Sequence, residues 1–251
     1  MGPEMPTGSW LFLPSLGPRC SSEGAAILPE TEHIPADWRV LFRTPALWCH
    51  YLGYACLAVA ANSLNMWLPT YLTKVFHLNL EQAGRGLGLM TMTGGLLGVV
   101  AGGLVADLLR RRWRGGRMLT TSIAALLCAP LWLLLLRADA LWGVLVPCFF
   151  LSGLGLMWLG PAAADVHDLV GPRLRGLGTG VYFFIVNVIG YGIGAPVFGK
   201  LNDYLGTAQH PERMRQSLLL SPVMCLLSAA LLYSGSRLME RSPLTAADRH
   251  R

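Results

Sequence analysis

The sequence predicts an all-α integral membrane protein whose chain crosses the bilayer six times. Of its 251 residues, 53% are hydrophobic and only 14% are charged, whereas soluble domains average about 25% charged residues. The charges are also segregated, which leaves apolar segments of about twenty residues. A helix of that length, rising ~1.5 Å per residue, crosses ~30 Å of hydrocarbon, so the lipid bilayer is the expected partner of these segments.

The six predicted transmembrane segments are residues 45–68, 84–106, 117–137, 141–164, 176–199 and 216–237. Together they form a predicted six-helix bundle over residues 45–238. Residues 1–44 are rich in Pro, Gly, Ser and Glu, which predicts a tail or linker without a packed core of its own. Residues 239–251 form a predicted C-terminal tail.

The distribution of positive charge predicts which side of the membrane each connection occupies. Because six is an even number, both termini lie on the same side. Fourteen of the 20 lysines and arginines fall in the segments on that side, and positively charged connections face the cytoplasm. We therefore expect a multi-pass protein of the cell (inner) membrane with both termini and both tails in the cytoplasm.

The net charge of +6 does not indicate nucleic-acid binding, because the arginines cluster at the ends of apolar segments and form no basic face. The six cysteines include no CxxC pair or other metal-ligand spacing, and their expected role is packing. A nucleotide-binding loop, an HExxH motif and a GxSxG motif are absent from the sequence. We expect no cofactor, no metal and no enzymatic activity.

Small residues recur at helical spacing in the second and fifth segments. One face of the second segment carries a glycine at every fourth position, and such a face lets two helix backbones approach closely in lipid, where no hydrophobic force brings helices together. The fifth segment has the same pattern beside a proline, whose freed carbonyl must be satisfied by neighbours. The expected helix-packing residues are Gly94, Gly98, Gly102, Gly190, Gly194 and Pro196.

Two stretches resemble a known family. Residues 103–107 (Gly-Leu-Val-Ala-Asp), followed by arginines at 110–112, resemble the cytoplasmic loop motif of the major facilitator superfamily, with Leu108 where arginine is usual and Arg110 where glycine is usual. Residues 167–176 and the glycine-rich helix after them resemble the tenth loop and eleventh helix of its spinster-like members.

The resemblance continues at residues 67–72, which look like the exit of the seventh helix in that family. It extends over residues 46–237 in one order and register. It therefore implies that the chain corresponds to the C-terminal six-helix half of a 12-helix bundle, with the first six helices absent. Residues 1–44 are then either a cytoplasmic tail or a remnant of the central loop between the two halves. Family transporters form their pathway between two such halves.

The resemblance implies that Asp107 acts as a gate latch that helps to hold one conformation. The positions that match the family's gating pattern are Gly103, Asp107, Arg110, Arg111, Arg112, Arg173 and Arg175. Asp107 can pair with Arg111 or Arg112, or accept hydrogen bonds from the first amides of a neighbouring helix. The alternative interpretation is an acid at a helix end that only marks an interface.

Two polar faces are candidates for a substrate cavity. At helical spacing they combine tyrosines, a phenylalanine, a threonine and uncharged amides: Tyr51, Tyr54, Asn62 and Asn65 on the first segment, and Thr179, Phe183 and Asn187 on the fifth. Such groups can line the cavity and hydrogen-bond a solute. Hydrogen bonding between helices explains them equally well on the first segment.

Asp165, His167 and Asp168 suggest either a metal or proton site or, as the favoured interpretation, a solvated helix end. The pattern places no Asp, Glu, Lys or Arg in the middle of any segment, and a proton relay in a membrane needs such a group. If the intact transporter is coupled to protons, its coupling carboxylate is then expected in the missing half.

These observations favour a secondary transporter, or its C-terminal half, that moves a small organic or amphipathic solute by alternating access. Its expected partners are the solute and either a second six-helix half or further copies of this chain. The alternative is a truncated membrane fragment that associates with a partner half and transports nothing. A third class, an intramembrane enzyme, would require Asp165 and His167 to be buried together.

Overall fold

The computed structural model describes residues 38–170 and 172–241, all of whose regular structure is helical, which confirms the predicted all-α class. The α-helices are α1 (Val40–Arg43), α2 (Pro45–Met66), α3 (Leu68–Val75), α4 (Leu80–Arg112), α5 (Gly116–Arg137), α6 (Leu141–Leu156), α7 (Leu159–Val170), α8 (Arg175–Asn187), α9 (Gly194–Tyr204), α10 (Met214–Leu218) and α11 (Leu220–Arg241). Most of the predicted N-terminal tail, and residues 242–251 of the predicted C-terminal tail, lie outside the described residues.

Five helical stretches within the described residues are long and apolar enough to cross a membrane. They are Leu80–Arg112, Gly116–Arg137, Leu141–Val170, Pro172–Tyr204 and Pro211–Arg241. Each contains one predicted segment, from the second to the sixth. The chain therefore carries the helices of a multi-pass membrane protein.

The first predicted segment corresponds to α2, which has the length but not the hydropathy of the other five. Its 22 residues extend over about 33 Å. The helix lies inside the bundle against α11, α8 and the turn at Val188–Ile193, and it buries polar side chains including His50, Asn62 and Ser63. Because neighbouring helices cover it, α2 need not be as apolar as a helix that faces lipid.

The longest helix, α4, begins at a capping box. The Asn79 side chain accepts a hydrogen bond from the Gln82 amide at 2.7 Å, and the Gln82 side chain accepts one from the Asn79 amide, which satisfies two otherwise unpaired amides. The helix extends six residues beyond the predicted segment and ends at Arg112. The arginines expected in a loop therefore form its last turn, where positive charge complements the helix dipole.

The fifth predicted segment is not one continuous α-helix. A π-helical turn, Val188–Ile193, separates α8 from α9, and Pro196 lies in the first turn of α9. A Cβ added to Gly190 would lie 2.8 Å from the Ala58 Cβ, and one added to Gly194 would lie 3.1 Å from Val59. Both glycines thus lie against α2, and the turn allows this close contact.

The contact between α4 and α6 is closer still, because it joins two backbones. A Cβ at Gly102 would lie 2.5 Å from the Met157 carbonyl oxygen, and one at Gly94 or Gly98 would overlap the carbonyl oxygens of α6 itself. Substitution at these positions would therefore push the two helices apart, since main-chain atoms cannot turn aside as a flexible side chain can.

Replacing Gly98 by leucine should lower the free energy of unfolding by about 1–3 kcal/mol, because the added side chain overpacks the α4–α6 contact. The measurement is an SDS unfolding titration of the purified chain in mixed micelles. Gly88→Leu is the matched control, since nothing lies within 4 Å of a Cβ at that position on the same helix. Equal losses in the two variants would show that the close contact contributes nothing to stability.

Candidate functional site

Ion pairs join three helices at the end of the bundle where α4 ends and α5 begins. We call this region, which contains Asp107, Arg110, Arg117 and Asp168, the arginine end. Asp168 of α7 accepts hydrogen bonds from Arg110 of α4 and, at 3.0 Å, from Arg117 of α5. The second guanidinium nitrogen of Arg117 lies 3.5 Å from the Asp107 carboxylate on α4. A single arginine on α5 therefore contacts carboxylates on two other helices.

The predicted latch residue Asp107 is part of this network. The sequence suggested Arg111 or Arg112 as its partner, whereas in the structure its partner is Arg117, and Arg111 and Arg112 are exposed. The side chain of Asp107 is 69% exposed and that of Asp168 only 28%, so water screens the Asp107 pair more strongly. Asp168 has two arginine partners and Asp107 has one, so Asp168 makes the larger number of charged contacts.

Sequence reasoning missed Arg117 and did not favour Asp168 as an ion-pair partner. The only signal for Arg117 was its place as the last of five arginines, directly after a Gly-Gly pair. Of the other matched positions, Arg110 pairs with Asp168 and Gly103 has open space around it. Arg173 lies in the turn before α8 and Arg175 begins α8, and both are exposed.

Beneath the arginine end lies a buried cluster of polar and aromatic side chains. His50 is fully buried, and its ring centroid lies 4.6 Å from that of Tyr54 and 5.1 Å from that of Tyr182. Tyr54 donates a hydrogen bond to the Thr121 hydroxyl at 3.2 Å. The cluster thus joins α2, α5 and α8, and α7 contributes Asp165.

Asp165 is fully buried, so the favoured interpretation of a solvated helix end is wrong for this residue. Its carboxylate faces the bundle interior because α2 and α8 pack over α7. His167, two residues further along, is half-buried and hydrogen-bonds the Thr179 hydroxyl at 3.0 Å. The two side chains are therefore not buried together, and the condition set for an intramembrane enzyme is not met.

The two predicted cavity faces have different surroundings. On α2, Tyr51, Tyr54 and Asn62 are buried among neighbouring helices, and only Asn65 is exposed. On α8, Thr179 is half-buried, whereas Phe183 and Asn187 are exposed. The open part of the predicted faces therefore consists of an amide on α2 and an amide with an aromatic ring on α8.

Asn65 also lines a small cavity between α2, α4, α5 and α6. Its volume is about 50 Å³, and its polar lining includes Asn65, Thr91 and Ser152 beside Trp132 and other apolar side chains. Binding sites for drug-sized molecules measure about 300–1,000 Å³. This cavity is too small to enclose an organic solute.

Within residues 38–170 and 172–241, no three His, Cys, Asp or Glu side chains come together as a metal site would require. The arginine end and the buried cluster are thus organised by ion pairs, hydrogen bonds and ring contacts. Such an arrangement can hold helices together, and it can change when a charge is added or removed.

Comparison with known proteins points to one family. The profile of the Major Facilitator Superfamily matches residues 7–195. An MFS-type efflux pump of Mycolicibacterium smegmatis is 29% identical over 203 residues, which cover 78% of this chain and 46% of the pump. A probable L-galactonate transporter of Escherichia coli is 32% identical over 72 residues, which cover 29% of this chain and 16% of that protein.

Solved structures show the same fold. Two crystal structures of a bacterial homologue of the human lysosomal transporter Spinster, one inward-facing and occupied and one inward-facing and unoccupied, superpose with TM-scores of 0.64 at 18% and 19% sequence identity. The matches cover 81% and 85% of this chain, and 52% and 53% of the homologue. The chain thus spans about half the length of the mycobacterial pump and about half the length of the Spinster homologue.

Replacing Arg117 by alanine should lower the free energy of unfolding by about 1 kcal/mol, because it removes the ion pairs that this arginine forms with Asp168 and Asp107. Arg111→Ala is the control, since this exposed arginine lies on the last turn of α4. An SDS unfolding titration compares the two variants. A loss for Arg111→Ala as large as that for Arg117→Ala would contradict the ion-pair network.

Proposed function

The chain belongs to the Major Facilitator Superfamily, and we propose that it forms the C-terminal six-helix half of a secondary transporter for a small organic or amphipathic solute. The proposal is supported mainly by the extent of the structural match. This chain has the family fold, but it covers only 52% and 53% of the matched structures. Members of this family are transporters rather than enzymes, so the proposed activity is movement of a solute by alternating access.

The exposed surfaces support the need for a second half. Of the five membrane-spanning stretches, those that contain α4 and α8–α9 are the least buried. Large apolar side chains such as Leu96 and Phe184 are exposed there, together with Asn187. In family transporters the solute lies between two halves, and an exposed amide beside exposed apolar groups is suited to such a cavity wall.

We propose that Asn65, Phe183 and Asn187 contact the solute, with Thr179 at the edge of the same wall. These side chains are polar or aromatic and carry no charge, which suits an uncharged or amphipathic molecule. Two relatives are named as an efflux pump and a probable L-galactonate transporter. Both lipophilic solutes and sugar acids are therefore worth testing as substrates.

The ion pairs at the arginine end provide a physical basis for the gate. Arg117 and Arg110 connect α4 and α5 to α7, and a movement of α7 relative to α4 and α5 requires those contacts to change. We assign the latch to Asp107, Arg117 and Asp168. The excess of lysine and arginine at this end supports a cytoplasmic location for it and for both termini, in the cell membrane.

A non-transporting fragment that associates with a partner half is the second candidate. The observation that favours it is that the chain covers only about half of the pump and of the structures that it matches. The two candidates differ in one measurable property, which is solute movement with and without a partner.

The deciding experiment is solute uptake into proteoliposomes that contain the full chain, with or without the co-expressed N-terminal half of the mycobacterial pump. The probes are ethidium, L-galactonate and a fluorescent lysophospholipid. We expect uptake above that of empty liposomes in at least one condition, and a several-fold decrease with Asp107→Asn. The control is Asp203→Asn, which alters an exposed carboxylate on α9.

If uptake occurs only with the partner half, the chain is one half of a split or truncated transporter. If no probe moves in either condition, while the two halves co-purify, the non-transporting fragment is the correct description. Equal uptake by Asp107→Asn and the wild-type chain would contradict the latch.

Replacing Asn187 by alanine should raise the KM for the transported probe about fivefold, since it removes one hydrogen bond worth about 1 kcal/mol. Ser234→Ala is the matched control, because both side chains hydrogen-bond a backbone carbonyl four residues earlier on an exposed helix face. An unchanged KM in the Asn187 variant would exclude this residue from the solute site.

A further inference from the structure

We propose that Asp165 is a proton-binding site, and that its charge controls how tightly the arginines hold α4, α5 and α7 together at the arginine end. The sequence suggested a proton site at Asp165, His167 and Asp168 only as the less favoured interpretation, and it placed any coupling carboxylate in the missing half. The proposal depends on the burial of Asp165 and on the groups that face it from each neighbouring helix.

Asp165 is fully buried, and neither carboxylate oxygen has a hydrogen-bond partner among the described residues. An ionised carboxylate without partners is costly in a dry interior, whereas a neutral carboxyl group is much less so. Burial therefore favours the proton-bound form, and nearby positive charge favours the ionised form. A group held between these opposing effects can change its protonation when its surroundings change.

The positive charge comes from α4 and α5. Arg110 and Arg117 both interact electrostatically with Asp165, and both also form ion pairs with Asp168. Arg114 and Asp107 lie within electrostatic reach of Arg110 as well. The same two arginines are thus shared between Asp165 on one side and the carboxylates of the latch on the other.

The remaining neighbours are uncharged polar rings on α2 and α8. Tyr54 and Tyr182 interact electrostatically with Asp165, and the Tyr182 hydroxyl is buried without a partner among the described residues. A hydroxyl can donate to an ionised carboxylate or accept from a protonated one. The Tyr182 hydroxyl is therefore chemically able to pair with Asp165 in either form.

His50 completes the group on α2. Its Nε2 lies 3.0 Å from the Ala162 carbonyl oxygen, which can only accept, so Nε2 carries a proton and a neutral ring leaves Nδ1 as a bare acceptor. That atom is buried with no partner in the described part of the chain. His50 and Asp165 thus lie in one buried cluster that contains both an unfilled acceptor and an unpaired acid.

Charge competition follows from this arrangement. When Asp165 is ionised, it attracts Arg110 and Arg117 away from Asp168 and Asp107. When Asp165 binds a proton, the attraction disappears and the arginines pair fully with the latch carboxylates. Acidification should therefore tighten the arginine end, until the latch carboxylates are themselves protonated. The use of this change to couple protons to solute movement rests on the proposed transport function; the proton site itself does not.

The first test detects the proton directly and needs no solute. Infrared difference spectra of the full chain in lipid nanodiscs, between mildly acidic and mildly alkaline pH, should contain the carbonyl-stretch band of a buried protonated carboxyl group. Asp165→Asn should remove the band, Asp165→Glu should shift it, and Asp203→Asn should leave it unchanged. A band that persists unshifted in both Asp165 variants would overturn the proposal.

The second test measures the latch. Hydrogen–deuterium exchange of the peptide that spans the end of α4 and the start of α5, corrected for the intrinsic pH dependence of exchange, should be slower at mildly acidic pH than at mildly alkaline pH. Asp165→Asn should make exchange equally slow at both. Exchange that is independent of pH in the wild-type chain, or equally pH-dependent in Asp165→Asn, would contradict the control of the latch by Asp165.

The two proposals fail in distinguishable ways. A titrating band and a pH-dependent latch in a chain that moves no probe would support the proton site and reject the transport function. Solute uptake by a chain whose Asp165 does not titrate would support the transport function and reject the proton site.

Discussion

The close approach of α4 and α6 is the contact on which the bundle most depends. In hydrocarbon, no hydrophobic force draws helices together, so association requires backbone contact or hydrogen bonds. Gly94, Gly98 and Gly102 provide the first, because their missing side chains let α4 rest on main-chain atoms of α6. This places the end of α4 beside α7, which brings Arg110 to Asp168. The ion pairs of the arginine end therefore depend on glycine packing further along the same helices.

The same constraint explains where the polar groups lie. Each polar side chain removed from water needs a partner within the bundle, and most find one: Tyr54 pairs with Thr121, and Ser63 with Ser221. Among the described residues, some buried polar groups have no partner. Asp165 and Tyr182 lie together in the cluster beneath the arginine end, whereas others, such as Trp67 and Asn202, lie elsewhere in the bundle. A buried polar group without a partner lowers stability, so the Asp165 carboxyl group does not help to hold the fold together.

The family match gives these features a common setting. The chain has the fold of one half of a 12-helix transporter, as the resemblance in residues 46–237 implied, and its matches cover about half of each structural relative. Within that half, the least buried helices are those around α4 and α8–α9, while α2 buries most of its residues. A solute pathway on the open side would be flanked by Asn187 and closed at one end by the arginine pairs, with Asp165 positioned to respond to both helix movement and proton concentration.

The sequence by itself determined the membrane class, the positions of the helices, the family and the glycine face of α4, because hydropathy, spacing and local motifs act within one segment. Six segments were predicted and each has a helix, although α2 lacks the hydropathy of the other five. Only the tertiary structure decided that Asp165 is buried, that Arg117 rather than Arg111 or Arg112 faces Asp107, and that a π-helical turn divides the fifth segment. The physical reason is that the burial and the partner of a side chain depend on residues of other helices lying opposite it, and a periodicity within one segment contains no information about them.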